Sequence, residues 1–189
     1  MPQTLPRLSL LSRLRTLAVS LYLAARGTPH GGHLFIRDGF PRFPGGGDVH
    51  FGYRVNMQCD LAPVWLRAAR GASIELGDRT FINAGTEIIA AQLVTIGPHC
   101  RIGPFCTISD TNHHPVHEGE MARVAPVILG RNVWLGRGVI VLPGSVIGDH
   151  SVIGAGSVVS GTVPPRQVWR GNPAVHVKDV RCSPDFVRG

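Results

Sequence analysis

From residue 129 an aliphatic side chain returns every six positions: Leu129, Leu135, Val141, Ile147, Ile153 and Val159. A helix brings one face round every 3.6 residues and a strand every two, so neither alone explains this spacing. The units read LGRNVW, LGRGVI, VLPGSV, IGDHSV, IGAGSV and VSGTVP. Glycine follows the aliphatic in four of the six, and the fifth place holds only Val or Ser. Such a pattern predicts an all-β solenoid, a parallel β-helix. The aliphatic points inward, the small fifth residue fits a narrow interior, and the glycine or polar pair makes the turn. Stacked coils then bond to their neighbours, and the two ends need caps.

The same period runs earlier, through Leu76, Ile82 and Ile88 and then Ile96, Ile102 and Ile108. The step of eight between Ile88 and Ile96 implies two accommodated residues, and fainter copies begin at Phe51 and Met57. Between Ile108 and Leu129 the frame is lost: the separation is 21, where 18 or 24 would keep it. Residues 111–126 are therefore expected to form an inserted loop. This loop carries His113, His114, His117, Glu118 and Glu120. Loops held by a rigid scaffold are common bearers of function. The expected organisation is a lead-in over 1–48, the solenoid over 49–166 and a tail over 167–189.

The lead-in differs in character. Residues 1–37 contain five arginines (Arg7, Arg13, Arg15, Arg26, Arg37) and no Asp or Glu. Apolar residues at Leu8, Leu11, Leu14, Leu17, Ala18, Leu21 and Ala25 keep helical spacing, with Ser9, Ser12, Arg13, Thr16 and Ser20 opposite and Gly27 as the stop. This amphipathic helix admits three readings: packing on its own domain or a sister subunit, peripheral contact of residues 5–26 with a membrane surface, or an organelle transit peptide. Residues 28–48 read as turns around one short strand at Leu34–Arg37.

Composition narrows the function classes. Apolar residues at 43 % argue against a disordered chain, and no run is long enough to cross a membrane. The net charge of +7 favours anionic partners, yet there is no dense basic run or nucleic-acid-binding motif, so nucleic acid is not an expected partner. Four cysteines without a CxxC pair read as reduced thiols, which fits a cytoplasmic protein. Cys100 and Cys106 occupy the small fifth place of their units and read as core.

Taken together, ISDTNHHP, PVILGRNVWLGRGVIVLPGSVIG, IGAGSVVSGTVP and the GNPA at 171–174 resemble the hexapeptide-repeat acyltransferases. The closest likeness is to the maltose, galactoside and polysaccharide O-acetyltransferase branch, over about residues 49–178. The resemblance implies a left-handed winding, a homotrimer with sites between subunits, acetyl-CoA as cosubstrate and no metal. It implies a histidine base: His114 fits the DTNHHP segment, with His113 as the competitor. Asp110 matches the acid that often precedes this histidine, and Asn83 in FINAGT matches a polar contact to the acceptor. Trp134 matches an aromatic wall by the thioester arm, Gly136, Arg137 and Ala155 match backbone contacts to the pantetheine, and Lys178 matches a basic residue facing a CoA phosphate. One departure is Ser160–Gly161–Thr162, where a Lys often follows the Ser or Thr. Phosphate binding would then lean on Arg137, Arg166 or Lys178.

The chemistry is consistent with those residue types. A thioester is already activated, so the protein need only deprotonate the acceptor, orient it and hold an oxyanion. A neutral imidazole suits the first task, a carboxylate such as Asp110 can fix its tautomer, and a glycine-rich turn can offer an N–H to the oxyanion. Three readings stand beside O-acetyl transfer: an N-acyltransferase on an amino sugar, a zinc enzyme built on the histidine loop, and a solenoid that only binds. His99 and His150 fall on turns, where exposure is expected.

Overall fold

The structure, a computed structural model, describes residues 9–25 and 34–188. It is a left-handed parallel β-helix closed at its start by one helix, Leu10–Ala25. Leu8 and Gly27, the expected helix boundaries, lie outside the described residues. Short strands build three sheets of eight, six and five members, and the chain visits the three in turn. Among the described strands pairing is parallel except for one closing hairpin, Gln167–Gly171 with Ala174–Asp179, and a single antiparallel bridge joins Thr111 to Val124.

The register shows the repeat directly. Leu135 stands opposite Ile153 and Val141 opposite Val159, 18 positions on, or three six-residue units. Ile82 stands opposite Ile102, 20 positions on, which is where the two extra residues fall. Ile102 stands opposite Leu135, 33 positions on, because the inserted loop intervenes. The fainter copies are real: Phe51 pairs with Leu76, and Met57 with Ile82.

Every aliphatic of the repeat is buried to 3 % exposure or less, and so are Val133, Val139, Ser145, Ser151 and Ser157 at the fifth place. Buried serines satisfy themselves on neighbouring carbonyls, as when Ser151 Oγ donates to the Pro164 carbonyl at 2.8 Å. The solenoid pairing continues past residue 166. Val168 and Trp169 pair in parallel with Val152 and Ile153, so the expected tail begins as one further strand.

The helix corrects one expectation. Ser12, Val19 and Leu23 are its buried residues, whereas Leu10, Leu11, Leu14, Leu17 and Leu21 are 55–75 % exposed. The leucine row therefore does not pack on its own domain. The physical reason lies at the mouth of the solenoid, where the first strand presents an unpaired edge. The Ile36 N–H donates to Thr16 Oγ1 at 3.0 Å, and Arg15 faces Asp38 at 3.8 Å. Leu23 plugs the opening beside Phe43, Val49 and Leu66. Thr16 satisfies one donor of the edge, Val19 and Leu23 pack inward, and Leu10, Leu11, Leu14, Leu17 and Leu21 are left outside.

Candidate active site

The outward side of the eight-stranded sheet carries one row in register: Phe81, Arg101, Trp134, Val152, Val168 and Lys178. Each of the first four immediately precedes an inward aliphatic, so the pleat sends its side chain out. Strands lie ~4.8 Å apart, which puts Lys178 about 14 Å along the row from Trp134. Phe81, Asn83, Arg101, Trp134, Gly136, Arg137 and Arg188 line a groove of about 470 Å³ here. Trp134 is half-exposed on its wall.

The adjoining corner stacks turn upon turn. The Gly138 N–H donates to the Pro104 carbonyl and the Gly156 N–H to the Arg137 carbonyl. Arg137 lies over the Phe105 ring, 4.7 Å from its centroid. A Cβ at Gly136 would come within 2.7 Å of the Ala155 nitrogen, so coil stacking alone requires that glycine. Asn83 closes the other end of this edge, with Oδ1 accepting from the Ala84 N–H at 2.8 Å. Of the expected residues, Asn83, Trp134, Gly136 and Arg137 line this groove, whereas Ala155 stands at the neighbouring turn and Lys178 is exposed farther along the row.

The histidines lie elsewhere. The Asn112 N–H donates to the Arg123 carbonyl and the Ala125 N–H to the Asp110 carbonyl, which pins the base of the loop. Beyond it, residues 112–121 are exposed. His113 has a φ of +62°, its N–H donates to Thr111 Oγ1 at 3.0 Å, and its side chain borders a second groove with Arg67, Ile89, Ala91 and Thr111. The His114 N–H donates to the Asn112 carbonyl at 2.8 Å. No residue lines both grooves. Within one chain, His113 and His114 do not meet Asn83 and Trp134.

Asp110 departs from its expected role as partner of the histidine. It is fully buried, and its carboxylate accepts the N–H groups of Ala91, Gln92 and Leu93, each at 2.7 Å. It holds the two-residue accommodation between Ile88 and Ile96 against the root of the loop. No hydrogen bond joins it to either histidine.

His150 also departs from expectation: it is 4 % exposed, not a free turn residue. The C-terminal segment folds back over it. Asn132 Nδ2 donates to the His150 ring at 2.9 Å and to the Phe186 carbonyl at 2.8 Å. The Arg188 N–H donates to Asn132 Oδ1, and its guanidinium to the carbonyls of Asn132 and His150. Nδ1 must accept from the amide, so the ring is held neutral. Burial, aided by Arg166, Arg188 and Arg131, pushes its pKa below the usual histidine value.

Phe81, Arg101, Phe105 and Arg188 were not singled out from sequence. Phe81 and Arg101 were findable, since the place before each aliphatic on this sheet faces out. Arg188 carries no such signal, because its segment lies outside the period. Burial raises the Cys100 thiol to about 12 and the Cys106 thiol to about 11, so neither offers a thiolate near neutrality. Among the described residues, no three His, Cys, Asp or Glu side chains converge as a metal site.

Comparisons with known proteins bear on the fold and the repeat. Residues 126–161 match the bacterial transferase hexapeptide (six repeats) family. A hexapeptide-repeat-containing acetyltransferase from Vibrio cholerae O1 biovar eltor, solved with acetyl coenzyme A, is 29 % identical. The match covers 70 % of this chain and 72 % of that one, with a TM-score of 0.62. A galactoside acetyltransferase in complex with coenzyme A is 24 % identical over 93 % of this chain and 86 % of its own, with a TM-score of 0.59. AntD, an N-acyltransferase from Bacillus cereus solved with dTDP and 3-hydroxybutyryl-CoA, reaches a TM-score of 0.69 at 17 % identity, covering 86 % of this chain and 88 % of that one. These last two likenesses are of fold.

Proposed function

We propose that this chain, whose repeat and fold are those of the hexapeptide-repeat acyltransferases it resembles, moves an acetyl group from acetyl-CoA to a hydroxyl of a sugar, glycan or small-molecule acceptor. The reaction would take place in sites shared between copies of the chain, a homotrimer. The observation that carries this reading is the split of the machinery. One outer face holds the groove of Asn83, Trp134 and Arg137, and a pinned loop on another face holds His113 and His114. Each half is incomplete alone, and a neighbouring copy supplies the other.

In such a site the His114 imidazole takes the hydroxyl proton as the oxygen attacks the thioester carbonyl. Asn83 orients the acceptor, and a backbone N–H of the turn at Gly136 holds the oxyanion. The C–S bond then breaks and the imidazolium returns its proton to the leaving thiolate. Trp134 supports the thioester arm, while Arg137 and Lys178 meet the anionic phosphates. A direct transfer of this kind needs no cysteine nucleophile, in keeping with the raised thiols of Cys100 and Cys106.

The test is complementation between inactive variants. His114→Ala and Asn83→Ala are each assayed for thiol release from acetyl-CoA, then unfolded, mixed and refolded together. With random assembly, about a quarter of interfaces regain both native residues, so about a quarter of wild-type activity should return. No recovery from two folded, inactive variants would overturn the shared site. Hydroxyl and amine acceptors run side by side decide between O- and N-acylation. Repeating the assay with His113→Ala decides which histidine is the base.

A further inference from the structure

The helix Leu10–Ala25 is mounted with Ser12, Val19 and Leu23 inward. Ser12 is buried, Thr16 accepts the Ile36 N–H and Arg15 faces Asp38, while Leu10, Leu11, Leu14, Leu17 and Leu21 make a continuous apolar face turned away from the solenoid. A face of that size on a charged chain marks an interaction site. At 16 residues the helix is too short to cross a bilayer, but its length suits lying in one.

Its surroundings identify the occupant. No acidic residue stands in the helix or anywhere in residues 1–37, which hold five arginines. Arg13 is exposed at the rim of the leucine face. Beside the helix, Tyr22 and Phe40 are about half-exposed and border a shallow groove with Arg42, itself exposed. Half-exposed aromatics and arginines around an apolar face match the boundary between headgroups and acyl chains. Asp38, an acid beside the helix, already faces Arg15 at 3.8 Å. A sister copy seated on the same face is the competing occupant, and the mass measurement below separates the two.

We propose that the outward leucine face of this helix docks the protein on an anionic lipid surface. Leu14 and Leu21 enter the acyl boundary and Arg13 and Arg42 meet the phosphate headgroups. The helix then lies between the bilayer and the mouth of the solenoid.

Co-sedimentation of the full chain with vesicles tests this. One set is pure phosphatidylcholine, and the other contains about 30 % phosphatidylglycerol. The chain should sediment with the anionic vesicles and weaken with added salt. Leu14→Glu with Leu21→Glu should weaken binding at least about tenfold without lowering the melting temperature, since neither side chain packs on the fold. Arg13→Glu should give a smaller loss. Absence of wild-type binding to anionic vesicles would overturn the proposal, as would binding that survives the double leucine variant. A drop in molecular mass with that variant, in the absence of lipid binding, would assign the face to a second copy instead.

Discussion

The coils from 127 to 163 and the loop from 111 to 126 adjoin one another, yet they are held in different ways. In the coils inward residues meet equivalent ones 18 positions away, shortening to 16 at Ile147 and Val163, and the aliphatics are nearly all fully buried. In the loop, residues 112–121 are exposed, and the loop is tied to the coils at its base, where Thr111 bridges Val124 and Asn112 bonds Arg123. One region derives its structure from repetition, the other from its attachment. Substitutions in the coils should therefore cost stability, and substitutions in the loop should cost activity.

Asp110 stands at the junction and gives the largest expected effect. Asp110→Ala would strand three amide donors that now bond a buried carboxylate, at a cost of about 4 kcal/mol in chemical denaturation. A loss of turnover without a loss of stability would return Asp110 to the catalytic group. In the coils, Leu135→Ala should cost about 3 kcal/mol, measured in the same way. In the loop, His114→Ala should lower turnover by a factor on the order of 10² while leaving the denaturation midpoint in place. A stability loss comparable to that of Leu135→Ala would erase the contrast between the two regions.

Smaller effects sharpen the picture. The depressed pKa of buried His150 means that the folded chain binds its proton less readily than the unfolded chain does. Its contribution to stability is present above the ordinary histidine value near 6.5 and is lost as pH falls below it. Melting temperatures from pH 8 to 5 should fall more steeply for the wild type than for His150→Asn. Equal slopes would show that the ring is free to protonate in place. The smallest effect is expected for Cys106→Ala, which should retain full turnover and lose only a little stability. Inactivity in a folded Cys106→Ala protein would require a covalent route.

The sequence was most legible where partners are set by spacing. Leu129, Leu135 and Ile153 announce a core because each is the next one's neighbour in space. The step of eight at Ile88 and the break after Ile108 were visible for the same reason. The binding face was partly legible: Trp134, Gly136 and Arg137 lie within the repeats, whereas Phe81 and Arg101 emerge only once outward places are followed from coil to coil. Asp110 looked like a histidine partner because the family resemblance places an acid ahead of the histidine. Only the fold brings it to the amides of Ala91, Gln92 and Leu93.

The six-residue period by itself determined a solenoid, its interior and the position of its one large insertion, because stacking is a nearest-neighbour rule that a local pattern can encode. Tertiary structure alone decided which side of the helix turns inward, what buries His150, and that the histidine loop and the Asn83–Trp134 groove lie on different faces. Those outcomes depend on meetings between segments far apart in the chain. A leucine row is apolar whatever it meets, and it was the strand edge at the mouth of the solenoid, with its Ile36 N–H bonded to Thr16, that turned the Ser12, Val19 and Leu23 side inward instead.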